Sequence, residues 1–203
     1  MKRSTALLLM GLATPVRAQT GPPWKYEIFG SAGWSDFGGD EGGLGGGPSF
    51  GAGVEVRPFR RLGFELEVNR VHYRRYLEAV TLPEPLRAQF PELSAPQLLF
   101  EGTAVFVTGN VVYHVDVSPR IQLYVLGGAG IVRESSRPTE ASPNVPERTV
   151  DEFTFNAAAG VEVFVSRRLA IRPEFRTSNF LILSSWDSRL YQNRVSVALA
   201  YHR

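Results

Sequence analysis

The chain has no cysteine, only two methionines and only three histidines in 203 residues. Without cysteine there is no disulfide framework, no thiolate-bound metal and no thiol nucleophile. It also lacks any run near 18 apolar residues beyond its first segment, so it has no transmembrane helix. A dominant charge is missing too. Lys and Arg number 22 against 20 Asp and Glu, a net of +2. Nucleic-acid binding needs a basic patch that this balance does not supply, so no nucleic-acid partner is expected.

The small positive excess lies in the first residues. Met1-Lys2-Arg3 is a short basic start, Ala6 to Ala13 a brief apolar run, and Val16-Arg17-Ala18 a small-x-small site. That layout predicts a secretory signal peptide over residues 1–18, with one domain over 19–203. Its apolar run is too short to span a bilayer, which takes about 20 residues. Without Lys2, Arg3 and Arg17, 19 basic residues face 20 acidic ones.

What is present is a period of two. Tyr26, Ile28, Ala32 and Trp34 alternate with Glu27, Ser31, Gly33 and Ser35. The same pattern recurs around Val54, Leu66, Val107, Leu123, Val161, Ile171 and Val197. Eight strands result, each with one apolar side. Their connections alternate between long and short. The short ones are at Pro58-Phe59-Arg60-Arg61, 116–119 and Ser166-Arg167-Arg168. The long ones follow Gly38, Arg74, Arg133 and Phe180. All long loops therefore fall at one end. The fold predicted is all-β, an eight-stranded antiparallel up-and-down transmembrane β-barrel.

One hairpin is written twice. Gly53-Val54-Glu55-Val56, Arg60-Arg61-Leu62 and Phe64-Glu65-Leu66-Glu67 align without a gap to Gly160-Val161-Glu162-Val163, Arg167-Arg168-Leu169 and Ile171-Arg172-Pro173-Glu174. Glu65 in one copy is Arg172 in the other, so the two copies can pair charges across a lumen. Pro173 cannot donate to a ladder, and a bulge or missing bond is expected there.

Parity sorts the side chains. Lys25, Glu27, Glu55, Arg57, Glu65, Glu67, Glu162, Arg172, Glu174, Arg176 and Arg194 share the inward side. An eight-stranded barrel is just wide enough for side chains to fill it. Glu55, Glu65, Glu67, Glu162, Arg172, Glu174, Arg176 and Arg194 are thus predicted to form an interior ion-pair network, near charge balance. Inward glycines such as Gly51, Gly53, Gly128, Gly130 and Gly160 are expected to make room for long Arg and Glu side chains. Outward, Trp24, Tyr26, Tyr113 and Tyr201 near the turns and Trp34 near the loops are predicted to form aromatic girdles.

The Gly53–Glu67 hairpin, the stretch from Leu123 to Gly130, and Leu169-Ala170-Ile171-Arg172-Pro173-Glu174-Phe175-Arg176 resemble the glycine-rich and Arg-x-Glu strands of small outer-membrane barrels of the OmpA, OmpX and OmpW type. The resemblance implies a place in the bacterial outer membrane, with membrane lipid and lipopolysaccharide around it and the barrel-insertion machinery as a partner. It also implies a structural or surface-interaction role, with an extracellular ligand met through the loops. Such barrels usually end on an aromatic, whereas here His202 and Arg203 follow Tyr201. No peptidoglycan-binding module is expected after the barrel.

Other readings compete. One is a narrow pore or hydrophobic-ligand conduit of the OmpW type, and a second is a lipid A-modifying enzyme. A lipocalin-like carrier would put the apolar face inside. His72, His114 and His202 have no evident Ser–acid partners in register and are expected to be interfacial polar residues. Gly38 to Gly47 lacks the Gly-Lys-Ser/Thr ending of a phosphate loop and reads as a surface loop. Residues 76–96 read as a cover for the barrel mouth or a recognition surface. No catalytic, cofactor or metal residue is assigned, and no cofactor is expected.

Overall fold

The computed structural model describes residues 25–39, 45–77, 97–138, 147–181 and 190–203. The expected Trp24, the signal segment and residues 78–96 lie outside them. Eight strands form: β1 Tyr26–Gly39, β2 Gly45–Val56, β3 Leu62–Leu77, β4 Gln97–Ser118, β5 Ile121–Pro138, β6 Arg148–Phe164, β7 Leu169–Leu181 and β8 Leu190–His202. Each pairs antiparallel with the next, and β1 pairs β8 to close the barrel. Closure removes the sheet edges, the condition for strands to enter lipid.

The connections at one end are short, over 57–61, 119–120 and 165–168. They are tied locally. The Ser166 hydroxyl accepts from the Arg168 and Leu169 amides at 3.2 and 3.1 Å. Arg60 reaches Asp116 near the end of β4 at 3.1 Å.

The strands run further toward the loop end than the sequence suggested. Gly38, Gly39 and Gly45 to Gly47 are strand residues, so only 40–44 separates β1 from β2. The glycine run is thus mostly two strand ends. Gly45 alone among the described residues takes a positive φ, 84°, where it starts β2. Arg133 to Pro138 also continues β5.

Pro173 leaves a mark. On its β8 side it stays in register with Val197. On its β6 side the register is unchanged, but the Val161–Pro173 and Glu162–Arg172 pairs are missing between Gly160↔Glu174 and Val163↔Ile171. A residue without an N–H interrupts a ladder in this way.

Alternation places apolar residues outside. Ile28, Val54, Leu66, Val111, Val125, Ile171 and Val197 are all exposed on the outer wall. Tyr26, Tyr113 and Tyr201 are exposed toward the turns, and Trp34 toward the loops. Tyr113 pairs with Leu62, the first residue of β3, but stands well above the β4–β5 turn because β4 descends further. Lys25, expected inside, precedes β1 and is exposed at the rim.

Candidate functional site

The duplicated hairpin becomes β2–β3 and β6–β7. In a ring of eight these two pairs are opposite walls. Their inward acids and bases therefore meet across the lumen rather than along one strand.

The turn end of the lumen is built around Arg57 and Arg172. Arg57 donates to Glu55 and Glu27 at 2.7 Å each, to Glu162 at 3.0 Å and to the Gln122 carbonyl at 2.9 Å. Arg172 donates to Glu27 and lies 3.5 Å from Glu162. Its Nη2 stands 3.4 Å from Glu65 Oε2, so the residue exchanged between the copies pairs with its counterpart. The same guanidinium sits over the rings of Tyr124 and Phe29, at 4.4 and 4.8 Å from their centroids.

A second tier lies above it. Arg176 joins Glu67, Glu65 and Glu174 at 2.6, 3.1 and 2.9 Å. Arg194 joins Glu67 and Glu174 at 2.8 and 3.0 Å. Tyr124 donates to Glu174 at 3.0 Å, and Asn110 to Glu65 at 2.9 Å. All eight residues singled out from the sequence for the interior are thus brought together. Glu27 and Arg57 shared their parity and belong with them.

The histidines differ from expectation. His114 and His202 are fully buried in the lumen, not interfacial. His114 Nε2 lies 2.8 Å from Glu55, and His202 Nδ1 lies 3.5 Å from Glu27. Six buried carboxylates, Glu27, Glu55, Glu65, Glu67, Glu162 and Glu174, face four guanidiniums, Arg57, Arg172, Arg176 and Arg194. The expected balance is short by two cations among these residues.

Glu27, Glu162 and His202 bring ligand atoms within 4.8 Å of one another. Both carboxylates already accept from Arg57 and lie against Arg172. Two guanidiniums supply there the positive charge that an ion would bring.

Toward the loop end the lumen carries an apolar layer. Phe37, Val71, Tyr73, Ala104, Phe106, Val132 and Phe180 form a buried apolar cluster. Phe37 packs on Tyr73 and Phe180 with centroids 5.2 and 6.3 Å apart. A cavity of about 10 Å³ remains beneath Glu134 and Glu152, room for no more than one water. The filled interior therefore has ionic tiers below and an apolar plug above.

The inward glycines named from the sequence serve other neighbours than those expected. A Cβ on Gly160 would collide with the Tyr124 ring, and one on Gly53 with the Phe29 ring. On Gly128 and Gly130 it would strike the backbone of β4. Of the five, only Gly51 has a charged side chain among its nearest groups, with Glu67 Oε1 at 3.1 Å alongside Ser31 and Asn69. Gly63 on β3, which the sequence reading did not single out, is the one that makes room for the Glu55 carboxylate.

The outer-membrane protein beta-barrel domain model matches residues 4–202. Among solved structures, Neisserial surface protein A resembles the chain with a TM-score of 0.63 at 12% identity, over 88% of this chain and 97% of that one. The outer membrane protein OprG of Pseudomonas aeruginosa gives 0.58 at 7% identity, over 89% and 98%. A major outer membrane protein of Thermus thermophilus gives 0.57 at 11%, over 88% and 99%. No curated protein matches by sequence. At such identities these structures show the fold, while the family match spans nearly the whole chain. The chain belongs to the outer membrane protein beta-barrel domain family and is a protein of the bacterial outer membrane.

Proposed function

We propose that the protein is a non-catalytic, non-conducting barrel that anchors a surface above the membrane, with adhesion or envelope contact carried by its loops. The observation behind this reading is the lumen. Arg57, Arg172, Arg176 and Arg194 are held by six carboxylates, and Phe37, Phe106 and Phe180 cover them. A pore of this width conducts only if those contacts break. A hydrophobic-ligand conduit needs space that a 10 Å³ cavity does not give. Membrane lipid, lipopolysaccharide and the insertion machinery remain the partners this reading calls for.

Planar-bilayer recording tests the lumen: the folded protein is silent, and steady channels would overturn the proposal. The loop assignment is tested in cells. A strain whose barrel has residues 78–96 and 139–146 replaced by short turns should show the phenotype of the deletion strain. Full rescue by that trimmed barrel would place the function elsewhere.

A further inference from the structure

Exposed charge is sorted between the two ends of the barrel. At the turn end Arg60 and Arg61 lie on the β2–β3 turn, Arg120 on the β4–β5 turn, and Arg167 and Arg168 on the β6–β7 turn. Lys25 and Arg203 stand where β1 meets β8, the Lys25 amide donating to the Arg203 carbonyl at 3.2 Å. All seven are exposed. Asp116, paired with Arg60, is the only exposed acidic side chain at that end among the described residues. The other exposed acids, Asp36, Glu101, Glu147 and Asp151, stand at the loop end. Three of those pair with arginines: Glu101 with Arg74, Glu147 with Arg137 and Asp151 with Arg133. At the turn end the position is reversed. Lys25, Arg61, Arg120, Arg167 and Arg203 have no ion pair among the described residues. Positive charge without a carboxylate partner therefore runs round the whole rim.

The outer wall fixes the height of this ring. Val56 ends β2, while Leu62, Ile121 and Leu169 open β3, β5 and β7. Val117 and Val163 stand one residue from the ends of β4 and β6. Within the turns themselves, Phe59 and Val165 are 64% and 66% exposed. The apolar band thus reaches the turns with no polar row between. Toward the loops, in contrast, β3 continues outward as Arg70, His72 and Arg74. A band that needs hydrocarbon down to its last residue holds the rim cations in the headgroup layer of the turn-side leaflet, not in the water beyond it.

We propose that this rim binds the headgroups of anionic phospholipids in the turn-side leaflet. A guanidinium at phosphate height presents two N–H donors that match two oxygens of a phosphodiester. The Arg-Arg doublets shared by the two hairpins set such forks on opposite walls of the barrel. The chemistry of the rim also sets the preference among lipids. A zwitterionic headgroup brings an ammonium to a surface whose one exposed carboxylate is taken by Arg60. An anionic headgroup brings no such repulsion. The rim acts independently of what the loops bind.

The test uses the full barrel refolded in detergent, with bound lipid read by native mass spectrometry. The probes are phosphatidylglycerol and phosphatidylethanolamine of the same acyl chains. The wild type should retain phosphatidylglycerol in preference, and a large excess of inorganic phosphate should not displace it. Arg61→Gln with Arg120→Gln, and separately Arg167→Gln with Arg168→Gln, should each lower that preference about tenfold. Arg74→Gln with Arg137→Gln, which removes two paired cations at the other end, should leave it unchanged. Heat-modifiable gel mobility confirms that each variant is folded. Equal retention of the two lipids by the wild type would overturn the proposal, as would an unchanged preference in both turn-end variants. Displacement by inorganic phosphate would mean a site for a soluble anion and would also overturn it. Sedimentation with purified peptidoglycan sacculi runs alongside. Loss of that sedimentation in the turn-end variants, with lipid preference intact, would assign the rim to the cell wall instead.

Discussion

Replacing Arg172 by Met should destabilise the barrel by about 4 kcal/mol, and the structure supplies the terms. Removing one member of a buried ion pair costs about 3–5 kcal/mol. Arg172 contacts Glu27, Glu162 and Glu65 and stands 3.9 Å from Glu55. None of the four is stranded by its loss. Glu27, Glu55 and Glu162 keep Arg57, and Glu65 keeps Arg176. That puts the electrostatic cost at the low end, about 3 kcal/mol. Losing the contacts with the Tyr124 and Phe29 rings adds roughly 1 kcal/mol. With a urea dependence of about 2 kcal/mol per molar, the unfolding midpoint should fall by about 2 M. The assay is urea titration of the refolded protein, followed by heat-modifiable gel mobility. Adding Glu27→Gln to Arg172→Met removes the carboxylate that Arg172 held most closely. It should recover about 1–2 kcal/mol, a coupling typical of residues in contact. An unchanged midpoint in the single variant, or purely additive single variants, would refute the account of the lumen.

Other outcomes follow from the same geometry. Glu65→Arg sets a third guanidinium against Arg172 and Arg176, and should lower the temperature at which gel mobility shifts; unaltered heat stability would contradict the pairing across the lumen. Gly160→Val should cost about 1–3 kcal/mol through collision with Tyr124, measured in the same urea titration. Leu66→Arg, within the apolar outer face of β3, should cost about 2–4 kcal/mol, whereas Thr103→Arg, paired with His72 where the outer face of β3 and β4 has turned polar, should cost far less. His114→Leu leaves Glu55 without its imidazole and should destabilise the barrel by about 1–3 kcal/mol in that titration.

Period-two alternation made the architecture legible, because each strand has one face in lipid and one in the lumen. Interior membership was legible for the same reason. Which acid meets which base was not, since Arg172–Glu65 and Arg194–Glu67 depend on how the sheet closes. The apolar plug did leave a signal. At Arg70 the parity inverts: Arg70, His72 and Arg74 point out while Val71 and Tyr73 point in. Ala104 on β4, next to outward Thr103, and Val132 on β5, next to outward Arg133, sit at the same change. A strand whose outer face turns polar has left the bilayer, and its inner face is then free to be apolar. The glycines needed register. Tyr124↔Gly160, Phe29↔Gly53 and Tyr73↔Gly102 are direct cross-strand partners, so each ring lies on the glycine beside it. Nearness to a turn misled the reading of His114, because β4 descends past the end of β3 and carries that side chain inside.

The filled lumen is tested most directly at Ser196, buried inside the barrel beside Arg194 and Glu174. With no native cysteine, Ser196→Cys is a unique thiol, and Ser to Cys changes little volume. In sealed proteoliposomes a water-soluble cationic thiol reagent should leave it unlabelled until urea unfolds the protein. Rapid labelling in the folded state would mean an open, water-filled lumen and would contradict the account.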